Sequence, residues 1–269
     1  MKIARIEMEK GLKTWAVQRP DGRLVRATGD ALSGDLETTD EVVTPKRWLP
    51  PVEPRAILCI GRNYAAHAAE GGAPPPEYPI LFMKNPNAAV GHEEAIRLPK
   101  VCEDEVDFEG ELVAVIGKAA RDVPKERALE YVAGYTIGHD VSARVWQEKK
   151  GGSQWCRGKS FDTFAPLGPV LATTDEIDDP SRLTIITRHN GKEVQRGNTS
   201  DMIFDVATLV SFLSQDTTLL PGTVIMTGTP EGIGWARSPK LTLRPGDVVT
   251  IEIEGIGRLS NPVLGGSTT

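Results

Sequence analysis

The chain has 269 residues, 39% apolar and 25% charged, with 31 basic against 37 acidic side chains for a net charge of −6. That length allows one large domain, or one with a small appendage, and an ordinary composition excludes global disorder. A net acidic chain lacks the basic footprint of a nucleic-acid binder, and no apolar run reaches the roughly 18 residues of a membrane helix.

The charged start MKIARIEMEKG has no apolar segment of the signal-peptide kind. The three cysteines, Cys59, Cys102 and Cys156, form no CxxC pair. Neither a disulfide framework nor a zinc site is expected, and a reducing, cytoplasmic setting is. The 27 glycines and 20 prolines predict many turns and much β-structure.

In chain order, IARIEM, TWAVQ and LVRAT read as short strands joined by turns, and the proline-rich KRWLPPVEP marks a soft boundary near Pro54. Residues 1–53 are thus a small β-rich region, and 54–269 a second, larger unit. AILCIG reads as a buried strand, RNYAAHAAE as a short helix, and GGAPPPEYP as an irregular loop. PILFMKNPNAAVGH resumes β-like sequence, and VDFEGELVAVIG is the strongest strand signal. ERALEYVAGYTIG starts helical and turns into a strand, and VSARVWQEKKG reads as a helix. LTIITRHNGKEVQRG reads as a hairpin about an Asn190-Gly191 I′ turn. DVATLVSFLSQ is an amphipathic helix, TVIMTG a strand, and RPGDVVTIEIEGIGRLSN a two-strand ending. Strands do not alternate with long helices, which argues against a Rossmann fold or a TIM barrel.

Five segments carry candidate chemistry. Glu103, Asp104, Glu105, Asp107, Glu109 and Glu111 crowd six carboxylates into nine residues. Strand alternation puts Asp107, Glu109 and Glu111 on one face, where a hard divalent cation would offset their repulsion. The plainer alternative is a solvated edge guarded by charge. Asp140, at the end of a β-like run, is a third ligand or simply a helix N-cap. His67 and Glu70, three apart on a helix, make an oriented general base or an exposed pair. Lys159, among glycine and aromatics, binds a carboxylate or enolate, or is an ordinary loop lysine. The turn Thr227–Gly232 holds a substrate carboxylate through its N–H groups, or is only a turn.

Taken together, GRNYAAHAAE (61–70), VDFEGELVAVIGK (106–118), GYTIGHDVSARVWQ (134–147), RGKSFDTFAPLGP (157–169) and MTGTPEGIG (226–234) resemble the fumarylacetoacetate hydrolase family. The resemblance implies an α+β fold, a mixed β-sandwich roll with short helices outside, and a homodimer. It implies a Mg²⁺ or Mn²⁺ site, with Ca²⁺ also admissible, made by Glu109, Glu111 and Asp140, with Asp107 behind them. His67 and Glu70 match the lid dyad of acylpyruvate hydrolases, and the loop 71–79 is expected to be mobile and to close over the metal. Lys159 and Gln147 match residues beside the substrate, and Arg62, Tyr64, Lys84 and Thr229 fall where related enzymes hold it. Two positions depart from the family pattern: His139 stands for the usual Asn, and Val145 for the usual acidic residue.

The expected activity is metal-dependent hydrolysis of a carbon–carbon bond in a small acylpyruvate or β-diketo acid, through an enolate. The alternatives are oxaloacetate-type decarboxylation, or isomerisation or hydration, at the same site. A silent metal-binding protein is a third.

Overall fold

The apolar run at 112–116 becomes the middle of a large sheet, and its position there fixes the site. The computed structural model describes residues 1–70, 72 and 74–266. Its strands up to the acidic segment are β1 Lys2–Glu7, β2 Lys13–Gln18, β3 Leu24–Thr28, β4 Glu37–Val43, β5 Arg47–Leu49, β6 Ile57–Gly61, β7 Ile80–Lys84, β8 Ala89–Val90 and β9 Ile96–Arg97. There follow β10 Val106–Asp107, β11 Gly110–Ile116, β12 Val132–His139, β13 Ser142–Ala143, β14 Ala165–Thr173, β15 Thr184–His189, β16 Lys192–Asn198, β17 Val224–Met226, β18 Val248–Ile253 and β19 Gly257–Leu264. The α-helices are short: α1 Ala65–Glu70, the single turn α2 Cys156–Lys159, and α3 Val206–Leu213.

The large sheet runs β4-β3-β2-β1-β14-β12-β11-β17-β6-β7, with β5 on β1 and β8 on β14. A second sheet runs β16-β15-β18-β19-β9, and β10 pairs with β13 in a small ladder of its own. Every residue of β11 is buried. Burying an aliphatic side chain contributes roughly 1.5–3 kcal/mol, so β11 is a stiff base for whatever it carries. The two sheets meet at its start. A Cβ on Gly110 would stand 2.2 Å from Thr187 Oγ1 of β15, so only glycine permits that approach. This is the mixed, sheet-rich α+β architecture expected.

The N-terminal strands join the large sheet directly. β1 pairs antiparallel with β14, Lys2 opposite Ala172 and Ile3 opposite Leu171, so the proline-rich junction near Pro54 is a turn in the chain and the hydrogen-bonded sheet runs on across it.

Several local readings hold. The hairpin of β15 and β16 turns at Asn190 (φ 51°) and Gly191 (φ 77°), both left-handed as an I′ turn requires. Asp205 caps α3, accepting from Thr208 N at 2.7 Å.

Two readings change. Residues 141–151 are not one helix: β13 comes first, then a wide turn of π-type hydrogen bonding over Trp146–Lys150. Pairing of Val106 with Ala143 and Asp107 with Ser142 outweighs the helical propensity of that stretch. For the same reason Asp107, Glu109 and Glu111 do not share one strand. Phe108 and Glu109 lie between β10 and β11, outside both ladders, and the two-residue alternation is interrupted there. Gly71 and Ala73, in the loop expected to close over the metal, lie outside the described residues.

Candidate active site

The pairing of β11 with β12 sets Gly110 opposite His139 and Glu111 opposite Gly138. The next step brings Asp140 beside Glu109, whose carbonyl accepts from Asp140 N at 2.9 Å. Asp140 is therefore a sheet-end residue and not a helix cap. One ligand oxygen from each of Glu109, Glu111 and Asp140 lies within 4.8 Å of the others, and all three residues are buried.

Each carboxylate is held differently. Glu109 is bonded on both oxygens, Oε1 to Arg144 Nη2 at 2.6 Å and Oε2 to Lys159 Nζ at 2.8 Å. Burial would raise its carboxyl, but Arg144 and Lys159, with a further contribution from His67, hold it well below the usual range. Asp140 Oδ2 accepts from Lys159 Nζ at 2.7 Å. Asp140 Oδ1 lies 2.7 Å from Lys84 Nζ. That ammonium already spends its three N–H groups on the carbonyls of Val141 (3.0 Å), Lys159 (2.6 Å) and Phe164 (2.8 Å). The contact is therefore charge against charge, and Oδ1 accepts no hydrogen bond. Glu111 takes one backbone donor, Gly228 N at 2.8 Å, on Oε2. Burial, with Asp140 and Glu109 beside it, pushes its carboxyl well up.

Four buried carboxylates, counting Asp107, thus face the three cations Lys84, Arg144 and Lys159. His139 adds no charge, because burial and Lys84 bring its imidazole down to about 3. The cluster is one positive charge short. A carboxylate oxygen that accepts no hydrogen bond and a Glu111 crowded by two further carboxylates, on an all-oxygen donor set, fit a hard divalent cation.

Behind the cluster lies a support that the sequence reading placed there only in part. Asp107 accepts from Arg144 Nε (2.9 Å) and Nη2 (2.7 Å), and from the backbone N–H of Phe108 (2.8 Å), Gly234 (2.8 Å) and Trp235 (3.0 Å). The Arg144 guanidinium so fixed reaches Gln147 Oε1 at 3.0 Å as well as Glu109. Arg144 was not singled out from sequence. The signal available was a need for cations near six crowded acids, and Arg144 is a basic residue between Ala143 and Val145.

Across the cavity α1 presents His67, whose Nδ1 lies 3.2 Å from Glu70 Oε2. Glu70 Oε1 accepts from Gly232 N at 3.1 Å. Burial would raise the Glu70 carboxyl, yet His67 and the Gly232 N–H bring it below its ordinary value. The turn into α1 is set by buried Asn63, which donates to the carbonyls of Thr227 (2.7 Å) and Phe204 (2.9 Å). Asn63 too went unremarked in the sequence.

The cavity measures about 400 Å³, and His67, Glu109, Glu111, Asp140, Gln147, Lys159, Arg62 and Thr229 all line it. Two expected substrate contacts are absent from that lining. Lys84 stands behind Asp140 with every N–H committed to the backbone, and so positions Asp140 and the strand ends instead. Tyr64 is 1% exposed and its hydroxyl meets no partner. Of the two departures, His139 is buried with Nε2 unbonded, and Val145 is half-buried just before the π-type turn. Lining that the sequence did not single out comprises Ile60, Gly61, Phe82, Arg144, Glu148, Ser153 and Trp155.

Comparison with known proteins settles the family. Residues 56–264 match the model of the fumarylacetoacetate (FAA) hydrolase C-terminal domain. The chain belongs to that family. Among relatives of this fumarylacetoacetate hydrolase family protein, a Xenopus laevis protein named oxaloacetate tautomerase fahd2, mitochondrial, is 48% identical over 215 residues, 80% of this chain and 67% of its own. A Mycobacterium smegmatis structure described as 5-carboxymethyl-2-hydroxymuconate delta-isomerase is 39% identical, with a TM-score of 0.84 over 98% of this chain and 100% of its own. A Mycobacterium marinum structure described as 2-hydroxyhepta-2,4-diene-1,7-dioate isomerase is 36% identical, with a TM-score of 0.84 over 100% of both chains. Family members are enzymes, and among the described residues no helix is long and apolar enough to cross a membrane.

Proposed function

We propose that this protein is a divalent-metal-dependent enzyme that interconverts the keto and enol forms of a small 2-oxo acid of the oxaloacetate kind. The observation that carries the reading is an oriented imidazole and a buried ammonium lining the same small cavity. Enolisation needs that pair: a base at carbon and a positive charge for the oxyanion.

Mg²⁺ or Mn²⁺ held by Glu109, Glu111 and Asp140 would polarise the 2-oxo group as a Lewis acid. His67 takes the proton from the carbon beside the keto group at Nε2, and Glu70 holds Nδ1 so that the ring keeps one tautomer. Lys159 has spent two N–H groups on Glu109 and Asp140, and its third donates to the developing oxyanion. Asp140 and Glu109 outweigh burial and keep Lys159 protonated, its value raised. The proton held on His67 Nε2 then passes to the enolate oxygen, forming the O–H bond of the enol in place of the C–H bond broken, and ketonisation runs the same two transfers backwards. The relatives named oxaloacetate tautomerase and isomerase support placing this reaction first.

Hydrolysis of an acylpyruvate is the second reading. It is favoured by the position of His67 at the cavity rim, its side chain 13% exposed, where solvent reaches it. The same imidazole would then activate water. One experiment separates the two. Ketonisation of enol-oxaloacetate and hydrolysis of acetylpyruvate are measured on one Mg²⁺-loaded preparation and on His67→Ala. Fast ketonisation that is lost in His67→Ala, with slow hydrolysis, supports the first reading. Hydrolysis faster than ketonisation reverses the order.

A further inference from the structure

We infer that Trp155 fixes how long a substrate the cavity admits. The inference rests on the 2-oxo acid reading for its ligand and on packing for its residue.

Trp155 and Lys159 are four residues apart on one helical turn, Trp155 at the cap position with helical φ and ψ (−71°, −26°) and Lys159 at the last position of α2. Residues at that spacing share a face, with Cβ atoms about 5–6 Å apart. The ammonium and the indole therefore stand at a distance set by backbone. The ring's seat is specific. A Cβ on Gly61 would lie 2.2 Å from Trp155 Cζ3, so the indole occupies space that any other residue at 61 would take. Phe82 meets it edge-on, centroids 5.4 Å apart at 63°, and the Arg62 guanidinium lies 5.7 Å from its centroid.

Phe82 also touches the chemical end of the cavity, since Lys159 Nζ lies 5.1 Å from its ring centroid. An aromatic wall thus begins at the ammonium and ends at Trp155. A 2-oxo acid whose oxo oxygen takes the remaining N–H of Lys159 extends its tail along Phe82 and meets the indole. A cavity of about 400 Å³ is near the small end for ligand sites. Short tails fit, and longer ones overlap the ring.

Oxalate, 2-oxobutyrate, 2-oxohexanoate and 2-oxooctanoate are titrated calorimetrically, with Mg²⁺, into the wild type, Trp155→Phe and Trp155→Leu. Affinity in the wild type should fall as the tail lengthens. Trp155→Leu should bind 2-oxooctanoate at least about tenfold tighter than the wild type, the order of one or two methylenes gaining a pocket. Trp155→Phe should lie between. Unchanged oxalate affinity shows that fold and cluster are intact. The same length profile in all three proteins overturns the inference. Oxaloacetate ketonisation in the same preparations tests the parent reading separately: a shifted length profile without turnover refutes the tautomerase and leaves Trp155 as the stop. If no 2-oxo acid binds any of the three, both fall.

Discussion

Glu70 is shared between two partners, His67 Nδ1 at 3.2 Å on one oxygen and Gly232 N at 3.1 Å on the other. The loop carrying Gly232 also donates from Gly228 to Glu111 and from Gly234 and Trp235 to Asp107. One loop thereby orients the base and supports the carboxylates opposite.

Glu70→Gln keeps the shape of that contact and removes its charge. The imidazole loses the partner that stabilises it when protonated. Turnover should drop roughly a hundredfold, within the range of a general base, with KM little altered. Steady-state ketonisation rates check this. A KM effect alone would make Glu70 a docking residue for α1.

Glu109 and Glu111 should respond oppositely in the metal-free protein, because Glu109 satisfies two buried cations and Glu111 none. Glu109→Gln leaves Arg144 and Lys159 undercompensated and should destabilise by about 3–5 kcal/mol. Glu111→Gln relieves repulsion and should raise the melting temperature. Both should lose the thermal shift produced by Mg²⁺. Thermal unfolding with and without Mg²⁺ reads all four values, and a retained Mg²⁺ shift in both would remove these residues from the metal site.

The two buried lysines differ in what their protons do. Lys159→Met should lower kcat more than it raises KM, since the oxyanion it meets exists only along the reaction. Lys84→Met strands three carbonyls and Asp140. It should unfold the protein at markedly lower denaturant, with Lys159→Met the milder of the two. Denaturant midpoints and kinetics on both variants decide it, and a Lys84→Met protein of wild-type stability with raised KM would return Lys84 to the substrate.

Asp247 gives a pH signature remote from the cavity. Burial would raise its carboxyl, but Asn190, which bonds it, the His189 ring nitrogen 2.8 Å away and the Arg244 N–H bring it below the ordinary value. A depressed carboxylate adds stability that is complete above the unfolded-state pKa and disappears as pH falls through the folded one. Acid should therefore weaken the turn joining β15, β16 and β18. Asp247→Asn should cost about 1–3 kcal/mol at neutral pH and much less in acid. Urea unfolding at steps from pH 7 down to pH 2 tests the difference, and a loss that stays equal across that range would refute it.

Much of this was legible in residues. Apolar alternation and turn pairs such as Asn190-Gly191 locate strands, because burial and positive φ are local demands. The carboxylates, His67, Glu70 and Lys159 could be named because chemistry restricts which side chains suffice. What stayed hidden depends on partners far along the chain. The sequence does not say that Lys84 points behind Asp140 to Val141, Lys159 and Phe164, or that Arg144 is drawn into a cage of Gly234 and Trp235. Nor does helical propensity at 141–151 reveal that Ser142 and Ala143 pair with β10. Trp155 was invisible as a wall because Gly61, which makes room for it, sits 94 positions away.

The union of β1 with β14 bears on how this protein can be cut. The family match opens at residue 56, yet a chain begun there would bare the backbone donors and acceptors of β14 that β1 covers. Such a rim invites pairing between molecules. The fragment should form aggregates visible by light scattering where the whole chain does not, so a boundary drawn by ancestry falls inside a unit of folding.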